Sequence, residues 1–377
     1  MKLNTKKGIK LKKNYSIKIP LKENSYEVIV GTNIINKYKN KIFSTIKDAK
    51  KIFIITDTRI KKLHLKKIQQ IIPKKFFVKT LTISPGEKMK DIKTINKISN
   101  FLLKNKISRN DAVFALGGGV IGDVSGFVAS VTLRGINLIQ FPTTLLAQVD
   151  SSIGGKTGVN SSYGKNLIGS FYQPKLVVCD TIFLTTLPRR ELIAGYAEII
   201  KYGIIYDKNF FIWLNKNTKK LLSNSALETI KAIKRSVEIK KEFILKDEKD
   251  VKNFRALLNF GHTFAHSLEN CAKYSKNLLH GEAVSIGMCM ASKLSNNLGF
   301  LSLNNYLKIK NTLSDFSLPI NIEFLKKIRI QKKQIVKNMV YDKKNLSGKI
   351  NFVLCKDIGK VFVYNKVNKD SIRKSIS

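Results

Sequence analysis

The run DAVFALGGGVIGDVSGFVAS, residues 111–130, decides the fold. It opens with DAVFAL, an apolar stretch of strand length. Glycines follow at once, and then a longer apolar segment that the pattern predicts as a helix. Gly117, Gly119 and Gly122 stand in G-x-G-x-x-G spacing. A glycine turn between a buried strand and a helix lets backbone N–H groups approach a pyrophosphate at the helix N-terminus. The same spacing also serves a plain tight turn. The acidic residue that a simple dinucleotide fold places about twenty positions further on is missing. The strand–turn–helix context favours dinucleotide binding. The upstream turn Pro85–Gly86–Glu87–Lys88 offers an adenosine contact.

Outward from this run, YSIKIPLKENSYEVIVGT (15–32) reads as two strands around a turn. KIFIITDT (51–58), FFVKTLTI (76–83) and NLIQFPTT (137–144) read as single strands, with a helix between the last two over about 91–105. Strands alternating with helical stretches imply an α/β fold, a parallel sheet with helices on both faces. From about residue 189 the pattern turns helical, through LPRRELIAGYAEIIKYGII, ALETIKAIKRSVEIKKEFIL and HGEAVSIGMCMASKLSNNLGF, before a short strand KINFVL (349–354). The expected organisation is a basic tail over 1–14, an α/β domain over 15–188 and a mostly helical domain over 189–377.

At 377 residues the chain is long enough for two domains. No run reaches the ~18 apolar residues that span a bilayer. The lysine-rich N-terminus has no apolar segment or cleavage site of a signal peptide. The four cysteines form no CxxC pair and read as free thiols of a reducing cytosol. The net charge of +43 would suit a nucleic-acid binder. Yet the excess is mostly lysine and spread from end to end, whereas planar recognition of phosphate and guanine prefers arginine. With abundant Asn and Ile it reads as drift in coding composition. Nucleic acid is not the expected partner, and neither is a membrane; the field would still draw in small anionic substrates.

Three of the four histidines, His262, His266 and His280, fall in RALLNFGHTFAHS and LLHGEAVSIGM. On a helix His262 and His266 share one face, and Arg255 and Asn259 extend the stripe. Such a polar line on an apolar helix is costly without partners. It suits a metal or acid–base site; the alternative is histidines packed in a core. Glu198 and Lys201 sit three apart on a very apolar helix, and a buried carboxylate beside two imidazoles leaves an open metal position. DSSIGGKTGVN (150–160) resembles a phosphate loop, although Asp150 stands where a Walker loop needs glycine. Ser151, Ser152, Gly154, Gly155, Lys156 and Thr157 are expected to make an anion cradle, with Lys165 and Asn166 nearby. The alternative is a Gly/Ser surface loop.

GGGVIGDVSGFVAS, QFPTTLLAQVDSSIGGKTGVN, GKNLIGSFYQP, LPRRELIAGYAEIIKYGII, RALLNFGHTFAHS and LHGEAVSIGM together resemble the 3-dehydroquinate synthase family. The resemblance runs from about residue 25 to 360, in order. It implies a Rossmann-like N-terminal domain, a helical C-terminal domain and an active site in the cleft between them. It also implies bound NAD, a divalent metal such as zinc or cobalt, and a homodimer. The substrate it implies is 3-deoxy-D-arabino-heptulosonate 7-phosphate, an anionic sugar phosphate, and the products are 3-dehydroquinate and phosphate. Carried over by motif, the metal ligands are Glu198, His262 and His280. Gly119, Val120, Ile121, Gly122 and Asp123 hold the pyrophosphate. Further NAD contacts are Pro85, Gly86, Glu87, Lys88, Met89, Lys90, Thr143, Thr144, Lys156, Lys165, Phe183, Leu184, Thr185 and Thr186. The catalytic set is Lys156, Lys201, Lys241, Arg255, Asn259 and His266. Asp150, Lys165, Asn166, Asp342, Lys343 and Lys344 bind substrate, and Arg134 reaches the phosphate in the neighbouring subunit. The rival readings are another sugar-phosphate cyclase, or a metal-dependent polyol dehydrogenase, on the same fold.

Overall fold

The computed structural model describes residues 14–328, 330–341 and 350–376. The glycine-turn run forms strand β5 (Ala112–Gly117) followed by the Gly119–Val131 helix. β5 lies inside a seven-stranded sheet made with β1 (Asn14–Ile19), β2 (Tyr26–Gly31), β3 (Lys51–Asp57), β4 (Phe77–Ile83), β6 (Asn137–Pro142) and β9 (Leu176–Asp180). The order is β1-β2-β9-β6-β5-β3-β4. Every pairing is parallel except the β1–β2 hairpin. The central strands are buried on both faces, which is why they read as continuous apolar runs. Alternation along β3 sends Ile52 and Ile54 into one core cluster and Phe53 and Ile55 into another. Asp57, at the end of β3, accepts hydrogen bonds from the amides of Arg59 (2.8 Å) and Ile60 (2.9 Å) and so caps the Thr58–Ile71 helix.

Between β6 and β9 the chain makes a hairpin, β7 (Lys156–Ser161) with β8 (Gly164–Phe171). Gly158 faces Gly169 across it. A second hairpin, β10 (Phe352–Asp357) with β11 (Lys360–Tyr364), lies near the C-terminus. The strand expected at 349–354 therefore runs Phe352–Asp357.

Beyond residue 188 the described chain is mainly helical. Arg189–Ile205, Ala226–Lys246, His262–Cys271 and His280–Asn297 share one core cluster with residues of β1 and β2. Glycine lets three of these helices touch backbone to backbone. A Cβ on Gly281 would lie 1.9 Å from the carbonyl oxygen of Ala194, and one on Gly287 2.2 Å from that of Gly261. The first contact docks the 280–297 helix on the 189–205 helix; the second docks it on the start of the 262–271 helix.

Candidate active site

Those three helices carry Glu198, His262 and His280. Residues 194–205 are all buried, and Glu198 and Lys201 are the charged groups among them. His262 opens its helix directly after Gly261, whose φ is +80°. That turn breaks the continuous helix expected from the polar stripe. Arg255–Asn259 forms a separate 3-10 turn, so Arg255 and Asn259 do not share a helix face with His262 and His266. His280 is the first residue of the 280–297 helix.

His262 Nε2 stands 3.5 Å from Glu198 Oε1, and His280 Nε2 3.7 Å from the same oxygen. The ligand atoms of the three residues all lie within 4.8 Å of one another. Lys201 makes an ion pair with Glu198 Oε2. Neither carboxylate oxygen has a hydrogen-bond partner among the described residues. A buried carboxylate facing two imidazole nitrogens fits a divalent ion of borderline softness. Burial alone would raise the Glu198 carboxyl, but Lys201, His280 and His262 outweigh it and hold it at about 2. Burial, with Lys201 beside it, keeps His262 well below its usual value. Burial would lower His280 too, but Glu269 and Glu198 push it up to about 10. The pair suggested by helical spacing, His262 and His266, is not the one gathered. His266 packs edge-on to His262 with ring centroids 5.5 Å apart and stays outside the trio.

Lys201 pairs with the trio directly, and further charged groups are held by their own partners. Asp150 ends a π-helical turn, Ala147–Ser151, and its carboxylate accepts from Lys240 Nζ (2.7 Å) and Tyr202 Oη (2.9 Å). Burial would raise Asp150, but Lys240 and Lys201 hold it far below the usual carboxylate range. Lys165 donates to Glu269 Oε1 at 2.9 Å. Arg255 is buried, donates from Nη1 to the Glu248 carbonyl at 2.9 Å, and has no partner for Nε among the described residues. Lys156 is half-exposed and pairs with Asp250. Three of the residues expected to make an anion cradle at 151–157 are engaged within the chain. Ser152 Oγ donates to the Ala147 carbonyl, the Gly154 amide to Tyr26, and Thr157 Oγ1 to the Ser170 carbonyl. The chain reverses at Gly154 and Gly155 (φ +93° and +69°); Lys156 is exposed and Ser151 partly open.

At the glycine turn no side chain caps the Gly119–Val131 helix. A Cβ on Gly118 would meet Thr144 at 3.0 Å and one on Gly119 would meet Ser151 at 3.1 Å. Gly118, Gly119 and Val120 are partly open, so this helix start can take an anion such as a pyrophosphate. Asp123 is held by Lys90 at 2.6 Å, and Lys90 also donates to Asn166 Oδ1 at 2.5 Å. Glu87 accepts from Asn160 at 2.8 Å, while Pro85 and Lys88 are exposed. Thr143 is buried with Oγ1 unpaired among the described residues, and Thr144 Oγ1 accepts from the Ala147 amide. Phe183 and Leu184 are core residues; Thr185 and Thr186 are exposed, and Thr186 meets His64 Nε2 at 2.8 Å. Arg134 is exposed on a kink where Leu133 and Arg134 both have positive φ. Asp342, Lys343 and Lys344 lie outside the described residues.

Three residues in this network escape the sequence reading. Lys240, not Lys241, reaches Asp150; Lys241 is half-buried one position further round the helix. The signal was periodicity: Ile233, Ser236, Val237, Lys240, Phe243 and Ile244 form the buried stripe of the 226–246 helix. Glu269 lies seven residues after His262, two turns along one face, and binds His280 Nδ1 at 3.2 Å. Tyr202, next to Lys201, donates its hydroxyl to Asp150, and no sequence pattern announces it.

Residues 80–194 match the family described as 3-dehydroquinate synthase N-terminal, and residues 195–345 the one described as 3-dehydroquinate synthase C-terminal. A 3-dehydroquinate synthase of Thermodesulfovibrio yellowstonii is 42% identical over 362 residues, 96% of this chain and 99% of the relative. Among solved structures, a 2-epi-5-epi-valiolone synthase from Streptomyces hygroscopicus with NAD+ and Zn2+ bound superposes with a TM-score of 0.84 at 26% identity, covering 94% of this chain and 97% of that one. A 2-deoxy-scyllo-inosose synthase complexed with carbaglucose-6-phosphate, NAD+ and Co2+ superposes with a TM-score of 0.86 at 24% identity, covering 96% and 98%, a likeness of fold. With both halves matched in order and a full-length relative at this identity, the chain belongs to the 3-dehydroquinate synthase family.

Proposed function

We propose that the chain is a 3-dehydroquinate synthase, a phosphate-eliminating carbon–oxygen lyase of the shikimate pathway that converts 3-deoxy-D-arabino-heptulosonate 7-phosphate to 3-dehydroquinate and phosphate. The observation that carries the reading is the Glu198–His262–His280 trio, its carboxylate buried and paired with Lys201, and its His280 held by Glu269, which Lys165 braces in turn. A dehydrogenase of a neutral polyol has no use for so many cations; a substrate with one carboxylate and one phosphate has.

When bound, NAD supplies a reversible hydride acceptor and a zinc or cobalt ion polarises a substrate hydroxyl. Glu198, His262 and His280 would hold the metal. Gly119, Val120, Ile121 and Gly122 would take the pyrophosphate, with Thr143, Thr144 and the 183–186 stretch along the cofactor. Lys90 and Asp123 hold each other and so fix the turn at 85–90 against this helix. Arg255 presents a planar fork suited to the carboxylate. Lys156 and Lys201 serve the phosphate as point charges. Asp150, fixed by Lys240 and Tyr202, offers acceptors to substrate hydroxyls. Lys165 and Asn166 on β8 close the other side. His266, outside the trio, would hold a proton at a ring nitrogen beside the reacting hydroxyls, and Asn259 would orient one. Asp342, Lys343 and Lys344 belong to the substrate set in this reading. So does a homodimer in the cytosol, in which Arg134 reaches the partner's substrate phosphate.

The test measures phosphate release and absorbance at the NADH band together, with and without chelator. The expected result is one phosphate per substrate, no net NADH, and loss of turnover on chelation restored by zinc or cobalt. NADH accumulating in step with product, with no phosphate, would move the chain to the polyol dehydrogenases.

A further inference from the structure

The two imidazoles of the trio are held from behind by different groups. His262 Nδ1 lies 3.2 Å from the carbonyl oxygen of Phe260. A carbonyl only accepts, so Nδ1 carries the hydrogen and Nε2 faces Glu198. His280 Nδ1 lies 3.2 Å from Glu269 Oε1. An ionised carboxylate also only accepts, so again Nε2 is the nitrogen turned to Glu198.

Glu269 is 3% exposed. The oxygen that takes the His280 hydrogen also accepts from Lys165 Nζ, on β8, at 2.9 Å. Its other oxygen is buried and unpaired among the described residues. A carboxylate buried with half its acceptors idle is a poor structural choice, because an apolar residue of similar volume would fill the space at less cost. Its bond to the ring of a metal-site histidine gives it a purpose. Carboxylates in that place fix ring orientation and raise the basicity of the ligating nitrogen.

We infer that Glu269 is a positioning residue for the metal centre, holding His280 so that Nε2 points at Glu198, with Lys165 bracing it from the β7–β8 hairpin. This rests on the metal-binding reading of Glu198, His262 and His280. Glu269 touches neither metal nor substrate; it acts through His280.

The experiment uses the full-length protein, stripped of metal and titrated with zinc against a chromophoric chelator. Glu269→Ala is expected to weaken zinc by about 10- to 100-fold, and Glu269→Gln, which keeps an acceptor oxygen, to recover most of that loss. The melting temperature of the metal-free variants should stay close to that of the parent. In the zinc-loaded parent, nitrogen-15 NMR is expected to show His280 bound through Nε2 with a slowly exchanging Nδ1 hydrogen. That signature needs no variant, so it decides the matter even where Glu269→Ala does not fold. Coordination through Nδ1, or zinc affinity unchanged in Glu269→Ala, would overturn the inference alone. Parent protein that takes up no zinc would overturn the metal reading as well.

Discussion

Lys240 and Lys241 differ by one position and face different worlds. Lys240 is buried with its ammonium on the carboxylate and carbonyl of Asp150; Lys241 is half-buried one position further round the helix. Lys240→Ala removes the charge that keeps Asp150 ionised and aimed, so kcat/KM is expected to fall on the order of 10²-fold. Lys241→Ala leaves Asp150 paired, so its fall in kcat/KM is expected to be smaller than that of Lys240→Ala. Steady-state kinetics with urea unfolding of both variants would distinguish them, and the reverse ranking would sink the assignment. A second residue sets a pH response. His64 is buried, edge-on to Phe183 with centroids 4.8 Å apart. Burial first, and Lys67 next, lower its pKa from 6.5. The folded protein thus keeps His64 neutral while the unfolded chain takes a proton below 6.5. Its contribution to stability is complete above that pH and is lost as pH falls through it. Between pH 7.5 and 5.5 the melting temperature of His64→Gln is expected to fall less than that of the parent. Residue types and spacing made the trio legible through the family motifs, but which of two adjacent lysines turns inward is decided by helix phase, and the 3.6-residue stripe on 226–246 had to be followed to see it.

The elements were legible where burial is two-sided and patterns are long. β3, β5 and β6 are apolar runs because the sheet is covered on both faces, and the helices near 92–104 and 119–131 follow them. The β7–β8 hairpin was not legible: GGKTGVN carries no alternation, and its pairing depends on Gly158 opposite Gly169. The break at Gly261 was hidden too, because a positive φ leaves no mark on an apolar pattern. That break is what lets His262 begin a helix in contact with the 280–297 helix. Gly287 seals the contact, since any Cβ there would overlap the Gly261 carbonyl. Overpacking of this kind costs about 1–3 kcal/mol, more when backbone must move. Gly287→Ala is therefore expected to lower the melting temperature and to weaken zinc, because the His262 and His280 helices part together. Calorimetry with zinc competition checks it; a fully stable variant with unchanged zinc affinity would show that the close approach is not what spaces the ligands.

At the scale of the whole molecule the dominant quantity is the net charge of +43, which composition alone made plain. Most of it sits on lysines outside the site, so it acts at a distance and on encounter, not on the bound substrate. In the proposed reading Lys156, Lys165, Lys201, Lys240 and Arg255 line the substrate site, and they would focus such a field on an incoming phosphate and carboxylate. The Debye length shrinks from about 30 Å at 0.01 M salt to about 8 Å at 0.15 M, which removes the distant lysines and leaves the near ones. The expectation follows that kcat/KM falls roughly tenfold over that salt range while kcat hardly moves. Potassium chloride and potassium glutamate should act alike, because screening depends on ionic strength; a drop confined to one anion would mean competition at the cation cluster. A kcat/KM independent of both salts would leave the lysine excess with no part in substrate capture, and the cations of the proposed site would then account for recognition by themselves.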